Sequence, residues 1–177
     1  VWDTITTTGW SSLGKAAGFL IPFFIAAWFG VDSKTDAFFF AYGLILFLSG
    51  VFAPVVENII VPYIATVKAK GEDVGRFIGN LFGTIGVGLL ALIGIFIATI
   101  KPVLALITNF DLQTLNLIYW LLIETSPLVV FLVWSSVLAG TLNAYKKFAL
   151  PAVSPMFRAV VTLVFTFVFK GIIKIHA

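Results

Sequence analysis

The sequence predicts an all-α membrane protein, a polytopic bundle of about five transmembrane helices, and three observations carry that prediction. Hydrophobic residues make up 60% of the 177 and charged residues 11%, against about 45–50% and about 25% in soluble domains. Mean hydropathy is +1.11, and 11 basic plus 8 acidic side chains are too few to cover a chain this apolar with a water-facing surface. Apolar stretches long enough to cross about 30 Å of hydrocarbon occur five times. These stretches, the run GVGLLALIGIFIATI at 86–100 among them, lack the alternation of β-barrel strands. Backbone groups in lipid must be satisfied within the segment, which leaves helices.

The spans fall at roughly 13–29, 37–64, 77–100, 115–142 and 149–169. Lys15 opens the first span, where its long side chain snorkels to the interface. The second begins at Thr35-Asp36-Ala37, so that Thr35 or Asp36 is the expected N-cap. The third carries Gly71, Gly75, Gly79 and Gly83 at four-residue spacing, then Gly86 and Gly88, a small-residue face on which a neighbouring helix is expected to pack closely, with a hinge or a dimer face as the alternative. After Lys101-Pro102, the piece Val103–Phe110 is too short to span and reads as a re-entrant or interfacial turn. Pro22, Pro54, Pro127 and Pro155 interrupt spans. Broken helices at membrane depth line cavities or sit inside bundles, which is the first sign of a transporter.

Loop charges set the expected orientation. Lys15, Lys68, Lys70, Arg76, Lys146 and Lys147 fall on one side, while Lys34, Lys101, Lys170 and Lys174 fall on the other with Asp32, Asp36 and Asp111. The positive-inside rule therefore places the N-terminus in the cytoplasm, in a multi-pass protein of the cytoplasmic membrane. The net charge of +3 does not point to nucleic acid, because the basic residues are scattered between apolar runs. With no Cys and one His, at 176, neither a disulfide framework nor a Cys- or His-based metal site is expected. No cofactor is expected. The chain opens on Val1 rather than Met, which predicts a fragment or a processed product.

Three charges lie within the spans: Glu57, Glu124 and Arg158. Each costs a few kcal/mol at mid-bilayer and so needs a partner, water or a changed protonation state. Glu57 stands eleven residues before Lys68 and Arg158 eleven after Lys147, about 16 Å from the basic boundary in both cases. This matched height predicts a Glu57–Arg158 pair or a shared water cavity; the bland alternative is an ion pair that only fixes helix register. Glu124 is 22 residues before Lys146, about 33 Å up and hence at the outer rim. It either reaches headgroups there or lines an outward vestibule with Thr125, Ser126 and Pro127.

Several ordered patterns together resemble the MurJ/MviN-type lipid-linked glycan flippases of the multidrug/oligosaccharidyl-lipid/polysaccharide exporter superfamily. They are Gly18-Phe19, Phe29-Gly30 and Thr35-Asp36-Ala37-Phe38-Phe39; Val61-Pro62 before a basic loop; and Pro127, Gly140-Thr141-Leu142-Asn143-Ala144, Phe148, Pro151-Ala152 and Pro155. The resemblance implies a two-lobed exporter of about fourteen spans, of which this chain would be the first five. It implies alternating access that moves a polyprenyl-linked sugar headgroup outward without enzymatic chemistry. It places Lys15 where the family carries a functional arginine and keeps the acidic residue as Asp36. Ile21 stands at a second arginine position, Ser49 and Gly50 replace a basic pair, and Arg158 replaces an asparagine.

The leading expectation is a flippase lobe in which Lys15 and Arg158 attract the phosphate or diphosphate of a lipid-linked glycan, with Glu57 releasing Arg158. Its partners would be that lipid, the surrounding membrane lipids and the remainder of the transporter. Substitution of the cationic positions argues for a cargo related to lipid II rather than lipid II itself. One alternative is a cation-coupled drug exporter, with Glu57 or Glu124 as a proton or sodium site. Another is a non-transporting assembly subunit. A membrane enzyme is disfavoured, since Glu57 and Glu124 differ by about 17 Å in height.

Overall fold

A computed structural model of the chain describes residues 9, 12, 14, 16, 18, 21–28, 30 and 32–176, with side chains described as far as Val168. Among the described residues there is no strand. Helix α1 contributes helical residues 9, 12, 14, 16, 18 and 21–28. It is followed by α2 (Ser33–Ala69), α3 (Val74–Ile107), α4 (Leu112–Thr125), α5 (Pro127–Ala144) and α6 (Ala149–His176). Among the described residues, four stretches are long and apolar enough to cross a membrane: Ser33–Ala69, Val74–Ile107, Leu112–Ala144 and Ala149–Val168. The architecture is the all-α polytopic one that the composition requires.

The helices are longer than the apolar runs that announce them. At 37 and 34 residues, α2 and α3 measure about 55 and 51 Å, against about 30 Å of hydrocarbon. Their starts are set by aspartates. Asp32 caps α2, its Oδ1 accepting from the Thr35 N–H at 2.8 Å; Asp73 caps α3 through Gly75 N (2.8 Å) and Arg76 N (3.3 Å); Asp111 caps α4 through Gln113 N at 3.2 Å. This corrects the cap expected at Thr35 or Asp36. The helix begins one turn earlier, because an extended Asp32 carboxylate satisfies an amide that would otherwise be orphaned. Hydrogen bonds from the Thr35 backbone N–H, followed by the Thr35 hydroxyl, hold the Asp32 carboxyl below its ordinary value. At Asp111 the Thr114 hydroxyl does the same.

The turn expected over Val103–Phe110 is also corrected. Pro102 lies inside α3, which continues to Ile107 before Thr108 caps it, with the Thr108 N–H and hydroxyl both donating to Leu104 O (2.9 and 2.7 Å). A proline removes one helical donor, and a long apolar helix with Leu104 buried on its inner side tolerates that loss.

The two compact units of the chain are residues 1–31 with 145–177, and residues 32–144. In the first, α1 meets α6 at Gly14, where a Cβ would lie 2.7 Å from the Met156 backbone nitrogen. Farther along, Trp28 meets Phe167 edge-on at 5.2 Å. In the second, α2, α3, α4 and α5 share one core. Ala37, Ala41 and Ile45 of α2 pack with Leu89, Ile93, Ile100 and Leu104 of α3, Leu115, Ile118 and Leu122 of α4, and Val129, Val130 and Val133 of α5. Ile60, Ile64 and Val137 form a smaller cluster with Phe77, Ile78 and Phe82 against it.

Glycine placement differs from the expected packing stripe. Gly71, at φ 69°, ends α2. Its N–H donates to Lys68 O and that of Glu72 to Val67 O, both at 3.1 Å, the paired bonds of a Schellman termination. Gly75 lies in the first turn of α3, and nothing stands within 4 Å of a Cβ at Gly79 or Gly83. The close approach on α3 is at Gly86, where a Cβ would come 3.0 Å from the Trp134 ring.

Candidate functional site

Lys15 lies outside the described residues. Asp36 sits exposed in the first turn of α2. Glu124 is exposed near the end of α4, and Arg158 is exposed on α6, one turn past Pro155. Glu57 is half-buried on α2. Glu57 and Arg158 belong to different compact units.

Among the described residues, Glu57 is brought against a partner on another helix by a contact 86 residues distant in sequence. The Asn143 amide nitrogen donates to Glu57 Oε1 at 2.8 Å. Three residues before Asn143, and so on the same face of α5, Gly140 is buried against α2. A Cβ there would stand 3.1 Å from the Glu57 carbonyl oxygen, 3.3 Å from Ile60 Cγ2 and 3.4 Å from Glu57 Cα. Glycine lets the two backbones close up, and that closeness brings the short Asn143 side chain within reach of the carboxylate. The motif Gly140-Thr141-Leu142-Asn143 thus has a local physical meaning: spacer, a Thr141 hydroxyl returned to Val137 O at 2.7 Å, and an amide clasp. Sequence reasoning placed Asn143 in a motif without seeing it as the partner of Glu57. A polar amide one turn from the end of an apolar span was the available signal.

This contact corrects the depth of Glu57. The backbone leaves the helix after Ala144, and non-helical backbone cannot rest in lipid. Gly140, level with Glu57, is six residues before Lys146, so Glu57 lies within about 9 Å of that boundary. Counting from Lys68 gave about 16 Å because, with Glu57 level with Gly140, Lys68 stands five residues past the level of Lys146, roughly 7 Å. Glu124 is 20 residues before Ala144, about 30 Å along the helical path.

Next to Glu124, the fourth span is broken at Ser126, and Pro127 is the first residue of α5, a position proline tolerates. Proline supplies no N–H to Ile123 O; the Ser126 hydroxyl donates to that carbonyl at 2.9 Å instead. Thr125 donates its hydroxyl to Leu121 O at 2.6 Å. Both hydroxyls thus bond back to carbonyls of their own helix. Lys101 stands over the Tyr119 ring at 5.6 Å, an arrangement favourable to a cation in a poorly solvated place. Among the described residues, no group of three or more His, Cys, Asp or Glu side chains could hold a metal ion.

Comparison with known proteins agrees with this helical, polytopic pattern. The chain is 27% identical over 158 residues to the lipid II flippase MurJ of Burkholderia cenocepacia, an alignment covering 86% of this chain and 31% of the relative. It is 25% identical over 167 residues to the probable lipid II flippase MurJ of Rickettsia prowazekii, covering 92% and 33% respectively. The chain thus spans about a third of the length of these curated relatives. No solved structure matches it. The family model described as lipid II flippase MurJ matches residues 25–177, from the last turn of α1 onward, and the chain therefore belongs to the MurJ lipid II flippase family.

Proposed function

We propose that the chain forms part of a flippase that moves a lipid-linked peptidoglycan precursor across the cytoplasmic membrane by alternating access. The observation that carries this reading is the family match running through every helix from α2 to α6, in which four stretches among the described residues are long and apolar enough to cross a membrane. The cargo class follows from the relatives, which are named for lipid II. Lys15 and Arg158 are the cations proposed to attract its diphosphate, since phosphate recognition rests on Lys and Arg. Asp36 and Glu124 belong to the opposite rim. Glu57 supplies a fixed negative charge near the Ala144 end, which on this reading is the cytoplasmic one. A proton or sodium gradient is the proposed coupling force.

The test is complementation of a cell depleted of its own flippase, together with translocation of a fluorescent polyprenyl diphosphate-linked disaccharide in vesicles. Wild-type full-length protein is expected to support both. Lys15→Ala and Arg158→Ala are each expected to slow translocation by about tenfold, the consequence of losing one charged-group contact. Full activity in both variants overturns the site assignment. Export of a small organic cation with no movement of the lipid overturns the function.

A further inference from the structure

Glu57 and Asn143 form the strongest unassigned feature in the described structure. They join helices 86 residues apart by a charge-assisted hydrogen bond, over a glycine that admits no side chain without displacing α2 backbone. Were the contact only a fastener, a charge would be a poor choice. Withdrawing a carboxylate from water costs several kcal/mol, and a well-packed apolar pair fastens helices as well or better. A neutral Gln–Asn pair would also give the same hydrogen bond without the ion. The side chain of Glu57 is long, and fixing it costs up to about 2 kcal/mol of rotamer freedom. The amide offsets that cost by holding one oxygen in a set direction.

We propose that Asn143 is a positioning residue for Glu57: it orients a carboxylate whose charge acts in transport, and Gly140 is the spacer that lets it reach. This inference rests on the transporter reading above and deepens it by naming what sets the geometry of one of its charges. Asn143 acts through Glu57 and needs no contact with cargo.

The experiment compares Glu57→Gln, Asn143→Ala and the double variant in the full-length protein. The readouts are melting temperature and translocation of the same fluorescent lipid in vesicles. Glu57→Gln keeps an oxygen for the Asn143 amide, so it is expected to melt with the wild type while translocation falls by about tenfold or more. Asn143→Ala is expected to slow translocation by a comparable factor, and the double variant no further than Glu57→Gln alone, because Asn143 has no task once the charge is gone. Wild-type translocation by Glu57→Gln overturns the proposal and leaves the pair a fastener. Independent, multiplying effects overturn the positioning role, as does unimpaired translocation by Asn143→Ala. A wild-type protein that moves no such lipid refutes the functional reading before any variant is compared.

Discussion

At the scale of single residues, a small side chain earns its place only when something leans on it. Gly86 and Trp134 make this explicit. The indole N–H of Trp134 donates to Phe82 O at 3.2 Å, and the ring stands so close to α3 that a Cβ at Gly86 would reach it at 3.0 Å. Trp134→Phe keeps most of the packing and loses the bond, so it is expected to lower stability by about 0.5–1.5 kcal/mol. Gly86→Leu must displace the indole and is expected to cost about 1–3 kcal/mol, as overpacking does. Gly83→Ala, three residues earlier in an open position, is expected to be neutral or mildly stabilising, since Ala is the better helix former by about 1 kcal/mol. Thermal unfolding of the three variants in detergent checks the ranking, and equal losses at 83 and 86 would contradict it.

At the scale of elements, helix ends and breaks are set by side chains that replace missing backbone partners. The α4–α5 break shows the substitution most directly. Ser126 donates to Ile123 O, the carbonyl that loses its donor to Pro127. Ser126→Ala is expected to cost about 0.5–1.5 kcal/mol by leaving that carbonyl unpaired. Adding Pro127→Ala restores a backbone N–H, so the double variant is expected to recover most of the loss; a double variant less stable than Ser126→Ala would refute the exchange. The aspartate caps predict a pH dependence of definite sign. Asp32 and Asp111 sit below their ordinary value in the folded state. Their contribution is present above the unfolded value of about 3.9 and is lost as pH falls through the lower folded one. Melting temperature should hold from neutrality to about pH 5 and decline below about pH 4. Asn at both positions, a cap without a proton to gain, is expected to flatten that decline. An acid decline unchanged in the double Asn variant would assign it to other carboxylates.

At the scale of the whole molecule, most of the architecture is legible because hydropathy is a bulk signal: long apolar runs leave the chain few places to be other than across a membrane. What hydropathy does not show is how far a helix continues past its apolar part. The run at 37–64 became Ser33–Ala69 because Asp32 and Gly71, rather than the loss of apolar residues, decide where it starts and stops. Nor can a count along one helix reveal that Gly140 aligns α2 with α5, since that contact exists only in three dimensions. The depth of Glu57 turned on it, and depth can be measured. Val51 and Asn58 are both exposed on α2, which suits a nitroxide attached at Val51→Cys or Asn58→Cys. If the boundary is at Lys146, just past the end of α5, position 58 lies about 8 Å inside it and position 51 about 18 Å, near the centre of a 30 Å core. If instead Lys68 marks the boundary, position 58 lies at about 15 Å, the centre, and position 51 at about 25 Å, close to the far side. The two alternatives reverse the order of accessibility to oxygen and to a water-soluble nickel chelate. In vesicles containing the full-length protein, the label at 51 is expected to be the deeper. The opposite order would return Glu57 to mid-membrane and require the α2–α5 contact to shift along the helices by more than a turn.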